Sequence, residues 1–190
     1  RVLLCRELAM EAGCLDGPFP FPSRHTGRVY LSGREIPPAY EYYDTTWGEV
    51  ILLSGLPGTG KDTWIGKYCS GMPLVSLDAI REEQGISPLD NQSRVVDLAR
   101  NQARELLRQK QPFVWNATNL IPQTRQKQIQ LFESYGAAVR IVYLETSWQE
   151  QLRRNADREA AVPEYAICHM LEKLSPPEGW EGERVIWQCI

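Results

Sequence analysis

The 190-residue sequence lacks the features that mark secreted, membrane-embedded or DNA-coating proteins. Its five cysteines (Cys5, Cys14, Cys69, Cys168, Cys189) are odd in number, dispersed and without a C-x-x-C pair. That usage reads as reduced thiols in a cytoplasmic protein and excludes a disulfide framework or a cysteine-rich zinc site. No apolar run approaches the ~20 residues of a membrane span, and no secretory leader is recognisable, so no membrane partner is expected. The formal net charge is −3, so no global basic field gathers polyanions, and any such site must be local. Only two histidines occur, His25 and His169, and both read as surface or packing residues. Internal repeats and low-complexity tracts are also missing. What remains is an ordinary composition, 43% hydrophobic and 24% charged, enough for one α/β domain with an appendage.

Against that background one stretch stands out, Glu49 to Thr63 (EVILLSGLPGTGKDT). Val50-Ile51-Leu52-Leu53 has the unbroken apolar character of a fully buried strand. It runs into Gly55-Leu56-Pro57-Gly58-Thr59-Gly60-Lys61, which fits the G-x-x-x-x-G-K pattern of a phosphate-binding loop. Glycines allow a tight curl in which successive N–H groups converge on phosphate oxygens. A following helix, expected from Lys61 to about Cys69, adds the positive end of its dipole. Lys61 is expected to reach the β- and γ-phosphates of a nucleoside triphosphate. Where Ser or Thr normally follows the lysine to hold Mg²⁺, the chain has Asp62, with Thr63 next. A carboxylate facing a triphosphate needs a cation between them, which makes Asp62 a candidate magnesium ligand and Thr63 a candidate α-phosphate contact. The alternative is an exposed Asp62 that merely favours the first helical turn.

Before this stretch, residues 1–48 read as an arm or connector. Val2 to Gly13 has the pattern of an amphipathic helix. Pro18, Pro20 and Pro22 then favour extended chain, with turn residues continuing to Pro38. Tyr40, Tyr42, Tyr43 and Trp47 read either as apolar staples or as platforms for bases. The chain opens at Arg1, without methionine and already helical in character, so a domain upstream is expected. After the loop, residues 49–190 alternate as a doubly wound parallel sheet should. Strands are predicted over 73–78, 113–118, 138–145 and 184–190. Helices are predicted over 91–109 and 123–135, from the Ser147 cap through Arg154, and from Pro163 to about Lys173. Arg100, Arg104 and Arg108 read as a solvated helix face.

Ligands of open α/β sheets collect at the carboxyl ends of the strands. Asp78, Arg81, Asn119 and Glu145 fall there or nearby. An acid and an arginine at D-x-x-R spacing suit phosphoryl transfer, the acid accepting a hydroxyl proton and the arginine orienting an acceptor phosphate. The same pair also reads as a helix-capping aspartate with a surface arginine. Arg154 and Arg158, one helical turn apart, are candidates for a lid that clamps donor phosphates, or else for an exposed face.

Taken together, GLPGTGKDTW, SLDAIR, WNATNL-x-x-x-x-R and LRRNADREAAVP resemble, in order and rough spacing, the phage-type polynucleotide 5′-kinase family over about residues 49–175. The resemblance implies a P-loop kinase fold with a helical lid, Mg²⁺, and ATP or another NTP as donor. Gly55, Pro57, Gly58, Thr59, Gly60, Lys61, Asp62 and Thr63 would hold the donor, with Arg154 and Arg158 as lid. Asp78 would be the general base for a 5′-hydroxyl of DNA or RNA, and Arg81, Thr118, Asn119 and Arg125 would serve the acceptor. Two positions depart from the family pattern: Asp62 in place of serine, and Ala117 where aspartate can stand. The arm also resembles the join between an HD-type phosphohydrolase and such a kinase. Two other classes remain open, a kinase of a small hydroxyl compound and a regulatory nucleotide-binding module. The latter needs a strand ending in two acids, and Leu144-Glu145-Thr146 supplies one.

Overall fold

The computed structural model describes residues 2–86, 92–158 and 161–190. The chain divides into two compact units, one ending at Asp44 and one spanning Thr45–Ile190. The first holds two helices, α1 (Val2–Glu11) and α2 (Arg24–Leu31). α2 replaces the turn-rich segment expected there. Its signal is local: Ser23 follows Pro22 and caps the helix, its Oγ accepting from Thr26 N at 3.0 Å. Thr26 is buried and accepts from Tyr42 N at 2.8 Å, and the Tyr40 and Tyr42 rings meet edge to face, while all of Tyr40, Tyr42 and Tyr43 stay exposed. Trp47 belongs to the second unit, where its indole N–H donates to Tyr135 O at 2.8 Å. The unit boundary therefore falls four residues earlier than residue 48.

The second unit is built on a five-stranded parallel sheet, β1 (Glu49–Ser54), β2 (Leu74–Ser76), β3 (Val114–Asn116), β4 (Ala138–Glu145) and β5 (Arg184–Cys189). Its order is β2-β3-β1-β4-β5. Between the strands run α3 (Lys61–Tyr68), α4 (Leu77–Gln84), α5 (Ser93–Arg108), α6 (Pro122–Ser134), α7 (Trp148–Ala156) and α8 (Glu164–Lys173). β1 is central, paired with β4 from Glu49↔Ala138 to Ser54↔Tyr143 and with β3 at Ile51↔Val114. Parallel strands covered on both faces need apolar residues on both, which explains the continuous run in β1. Val50 and Leu52 join Trp115, Phe132 and the α5 stripe Val95, Ala99, Ala103 and Leu107 on one face. Ile51 and Leu53 join Trp64, Val114, Val142 and Leu144 on the other. Each buried Val or Leu contributes roughly 1.5–3 kcal/mol against exposure.

Two boundaries matter for the site. The predicted strand 73–78 stops at Ser76, whose Oγ caps α4 by accepting from Ala79 N. Asp78 is therefore in the first helical turn and not at the end of a strand. α7 ends at Ala156, with Asp157 as its cap. Arg158 is thus past the helix, and the shared helical face expected for Arg154 and Arg158 does not exist. Among the described residues, no helix is long and apolar enough to cross a membrane.

Candidate active site

β1 delivers its chain to the carboxyl edge of the sheet, where residues 55–60 turn into α3. Gly58 and Gly60 carry the geometry. Both have positive φ, 83° and 81°, and a Cβ on Gly58 would lie 2.9 Å from Gln151 O. Side chains at either position are strained. Gly60 is the N-cap of α3 and no side chain caps that end, so the first-turn N–H groups face the loop. This is the cradle that phosphate oxygens require. Buried Thr59 fixes the turn, its Oγ1 donating to Leu56 O at 2.8 Å.

Lys61 folds back over the loop, its Nζ donating to Gly55 O at 2.9 Å and Leu56 O at 2.8 Å. The residue keeps some exposure, but its ammonium is surrounded by protein. Burial lowers its pKa to about 8, against the opposing pull of the Asp62 and Asp78 carboxylates, and Arg158 lowers it further. Lys61 therefore lies within electrostatic reach of both Asp78 and Arg158. Three residues far apart in sequence share one electrostatic neighbourhood.

Asp62 is exposed on the first turn of α3, and its Oδ1 accepts from Asn116 Nδ2, at the end of β3, at 2.8 Å. That bond orients the carboxylate toward the sheet edge, a finding the capping alternative does not require. The chemistry fits Mg²⁺, a hard cation that takes carboxylate oxygen with several waters retained. Asp62→Ala is expected to raise the magnesium concentration needed for half-maximal activity, and replacing Mg²⁺ with Mn²⁺ should change the size of the defect. A metal titration like the parent's would return Asp62 to a capping role.

Asp78 is 73% exposed and forms an ion pair with Arg81 one turn along α4. Arg81 is also held by Gln92, its Nε donating to Oε1 at 2.5 Å. Asp78 is thereby presented at the surface beside the loop with its partner fixed.

The other acceptor residues expected from sequence divide. Thr118 is half-buried and accepts at its carbonyl from Gly55 N at 2.9 Å. Asn119 is buried in a left-handed conformation (φ 45°), its amide donating to Leu53 O and its carbonyl accepting from Ser54 Oγ. It braces the loop from behind through these bonds, and with Thr118 it also lines a cavity beyond β3. Arg125 is fully buried, paired through Nε and Nη2 with Glu181, while Nη1 donates to Asn119 O, Leu120 O and Ser175 O. It is an interior tie and not an acceptor contact; breaking such a pair costs about 3–5 kcal/mol.

α7 roofs the loop. Sequence reading missed Gln151, which is buried and donates from Nε2 to Pro57 O at 3.1 Å while its own carbonyl closes over Gly58. A glutamine inside an arginine-rich helix gave no signal. Arg154 Nη1 lies 3.3 Å from where a Gly60 Cβ would be. Glu150 accepts from Arg153 and Arg154, and these bonds hold its carboxyl down to about 2. Beside the roof, α3, α7 and the end of β5 enclose a cavity of about 440 Å³, lined by Thr63, Trp64, Tyr68, Arg154 and Gln188 among others. Trp64 Nε1 donates to Gln188 Oε1 at 2.9 Å across it. A second cavity, about 330 Å³, opens between α5 and α6 beyond β3.

A central strand feeding a glycine-rich phosphate loop, with strand order β2-β3-β1-β4-β5 and an arginine-bearing helix above, defines a P-loop kinase-type phosphotransferase. The chain belongs to the AAA domain family AAA_33, whose model matches residues 50–177. Among curated proteins it is 27% identical over 148 residues to human heterogeneous nuclear ribonucleoprotein U-like protein 2, covering 68% of this chain and 20% of that one. It is 23% identical over 145 residues to the L-seryl-tRNA(Sec) kinase of Methanococcus maripaludis, covering 73% of this chain and 55% of that one. The chain thus spans about a fifth and about half of the length of these two relatives. Solved structures of similar fold include a chain of the Pnkp1/Rnl/Hen1 RNA repair complex (TM-score 0.60, 20% identity, 68% of this chain and 44% of that one). Another is a gluconokinase from Sinorhizobium meliloti 1021 (TM-score 0.52, 22% identity, 76% and 84%).

Proposed function

We propose that the chain transfers the γ-phosphate of ATP or another NTP to a 5′-hydroxyl end of DNA or RNA, with Asp78 as general base. The observation that carries this reading is the grouping of Lys61, Asp78 and Arg158 in one electrostatic neighbourhood at the carboxyl edge of the sheet. The phosphate loop and α3 would bind the β- and γ-phosphates, and the 440 Å³ cavity beside Trp64 offers room for the donor's nucleoside. Asp62 would hold Mg²⁺, which when bound supplies charge neutralisation on the transferring phosphate. Asp78, exposed beside its arginine partner, would accept the hydroxyl proton as the new bond forms. Arg81 fixes that carboxylate and has N–H groups left for a phosphate of the acceptor. Arg154, over Gly60, and Arg158, near Lys61, would stabilise charge on the donor.

The likeness to an RNA repair chain and to a tRNA-linked kinase supports a nucleic-acid acceptor, and the D-x-x-R spacing supports a polynucleotide one. An upstream phosphohydrolase and a cytoplasmic setting belong to the same proposal. One observation favours a second reading, a kinase of a small hydroxyl compound: Asn119 and Arg125 are spent inside the fold, which leaves fewer exposed donors for a phosphate chain.

The test is a panel of acceptors with γ-labelled ATP and Mg²⁺: 5′-hydroxyl DNA and RNA oligonucleotides, nucleoside 3′-monophosphates, plain nucleosides and sugars. Labelling of the oligonucleotides and nucleoside 3′-monophosphates well above the plain nucleosides is expected. Equal use of nucleoside and nucleotide, or preference for a sugar, would overturn the polynucleotide reading.

A further inference from the structure

The second cavity lies between the amino ends of α5 and α6, beyond the end of β3, and Leu77, next to Asp78, forms part of its wall. Two features distinguish it from an ordinary surface cleft. Trp115 lines it, is 1% exposed, and its indole Nε1 bonds no acceptor among the described residues. A buried donor left without an acceptor costs about 1–3 kcal/mol, so such a group calls for a bound oxygen. The second feature is its charge. Arg100, expected to lie on a solvated face, is half-buried in the wall, tethered only at Nε by Gln128 Oε1 at 3.4 Å, and its terminal nitrogens bond no other described residue. Lys127 lines the same cavity and forms no ion pair among the described residues. Among the described residues Asp97 is the single acid on the wall, exposed and without an ion pair. Two helix amino ends, two cations and an orphan N–H outweigh one exposed carboxylate, and every one of them favours an oxyanion.

We infer that this cavity is the seat of a phosphate group on the acceptor, held by Arg100, Lys127 and the Trp115 indole N–H while the acceptor's hydroxyl reaches Asp78. The inference rests on the phosphotransferase reading for its hydroxyl and names what that reading leaves open, the group that makes one acceptor better than another. The phosphate can come from a nucleic-acid strand, as the 3′-phosphate of the terminal nucleoside, or from a phosphorylated sugar; the chemistry of the seat is the same.

The test reads binding and turnover separately. In protein labelled with ¹⁵N-tryptophan, the Trp115 indole resonance is assigned by its loss in Trp115→Phe. Nucleoside 3′-monophosphate, glucose 6-phosphate and inorganic phosphate are then titrated with no NTP present. A saturable shift of that resonance is expected, stronger with nucleoside 3′-monophosphate than with the matching nucleoside, and weakened in Arg100→Gln/Lys127→Gln. In turnover, each single Gln variant should raise KM for nucleoside 3′-monophosphate about tenfold, one charge-assisted hydrogen bond lost, with donor KM unmoved. Both Gln changes are at partly or fully exposed sites, so they test the seat even if Trp115→Phe folds poorly. A shift with glucose 6-phosphate alone supports the oxyanion seat and overturns the polynucleotide reading. An indole that none of the three anions moves, or a donor KM that rises in step with acceptor KM, overturns the seat, whichever acceptor the enzyme proves to use.

Discussion

Lys61→Ala is expected to cut phosphoryl transfer by about 10²–10³-fold, the scale on which preorganised charge at a transferring group acts. Lys61 belongs to neither apolar cluster of the core, so the variant should fold. The native lysine is held over the loop by two carbonyls, and an arriving polyphosphate offers it better partners. This exchange has a pH signature. Burial lowers the pKa from 10.5 to about 8 in the folded chain. Between those values the unfolded chain binds more protons than the folded one, so stability rises with pH across that window. Put the other way, Lys61 costs the ligand-free protein stability below pH 8, and the cost is relieved toward pH 10.5. A bound polyphosphate restores the lysine's charge and raises its pKa. Stabilisation by nucleotide should therefore be largest below pH 8 and shrink above it. Melting curves with and without a non-hydrolysable NTP, from pH 7 to 10, would show this in the parent and not in Lys61→Ala. Near-normal turnover by the folded variant would end the phosphate-loop assignment.

The second large effect concerns the proton. Asp78→Asn keeps size and hydrogen-bonding capacity but removes the basic oxygen, and transfer should fall by about 10²–10⁴-fold. Donor affinity, measured by equilibrium binding of a non-hydrolysable NTP, should hold. Asp78 is exposed and capped into α4 by Ser76, so the change leaves the helix start intact. A kcat loss with unchanged acceptor KM would mark an interaction made only in the transition state. Loss of donor affinity in parallel with kcat would instead place Asp78 in the metal shell.

The sheet was legible because its signals are strong and local. Val50 to Leu53 and Ala138 to Glu145 are apolar runs of strand length flanked by breakers, and β4 falls on the residues expected. The loop was legible because its glycines and lysine are fixed in number and spacing. The failures concern residues whose role depends on distant partners. Arg125 was expected to serve the acceptor, since nothing near it in sequence reveals that Glu181, more than fifty positions away, is waiting inside the fold. Asn119 carried the same ambiguity, because an amide can serve a ligand or a backbone equally well. Arg100 erred in the opposite direction: periodicity placed it off the buried stripe, but α6 packs alongside and makes a wall of it. Gln151 was invisible because its side-chain amide donates to a backbone carbonyl far away in sequence.

The strand order has an evolutionary consequence. With β1 in the middle, the segments proposed to recognise the acceptor (residues 77–128) and those proposed to hold the donor (residues 148–190) are contiguous blocks of the gene on opposite sides of one shared loop. Recombination or drift in the first block can retarget such an enzyme without disturbing the machinery that spends the nucleotide. On this view, relatives that phosphorylate different hydroxyls should diverge most between α4 and α6. Grafting that block between two of them should carry acceptor preference with it and leave donor preference behind.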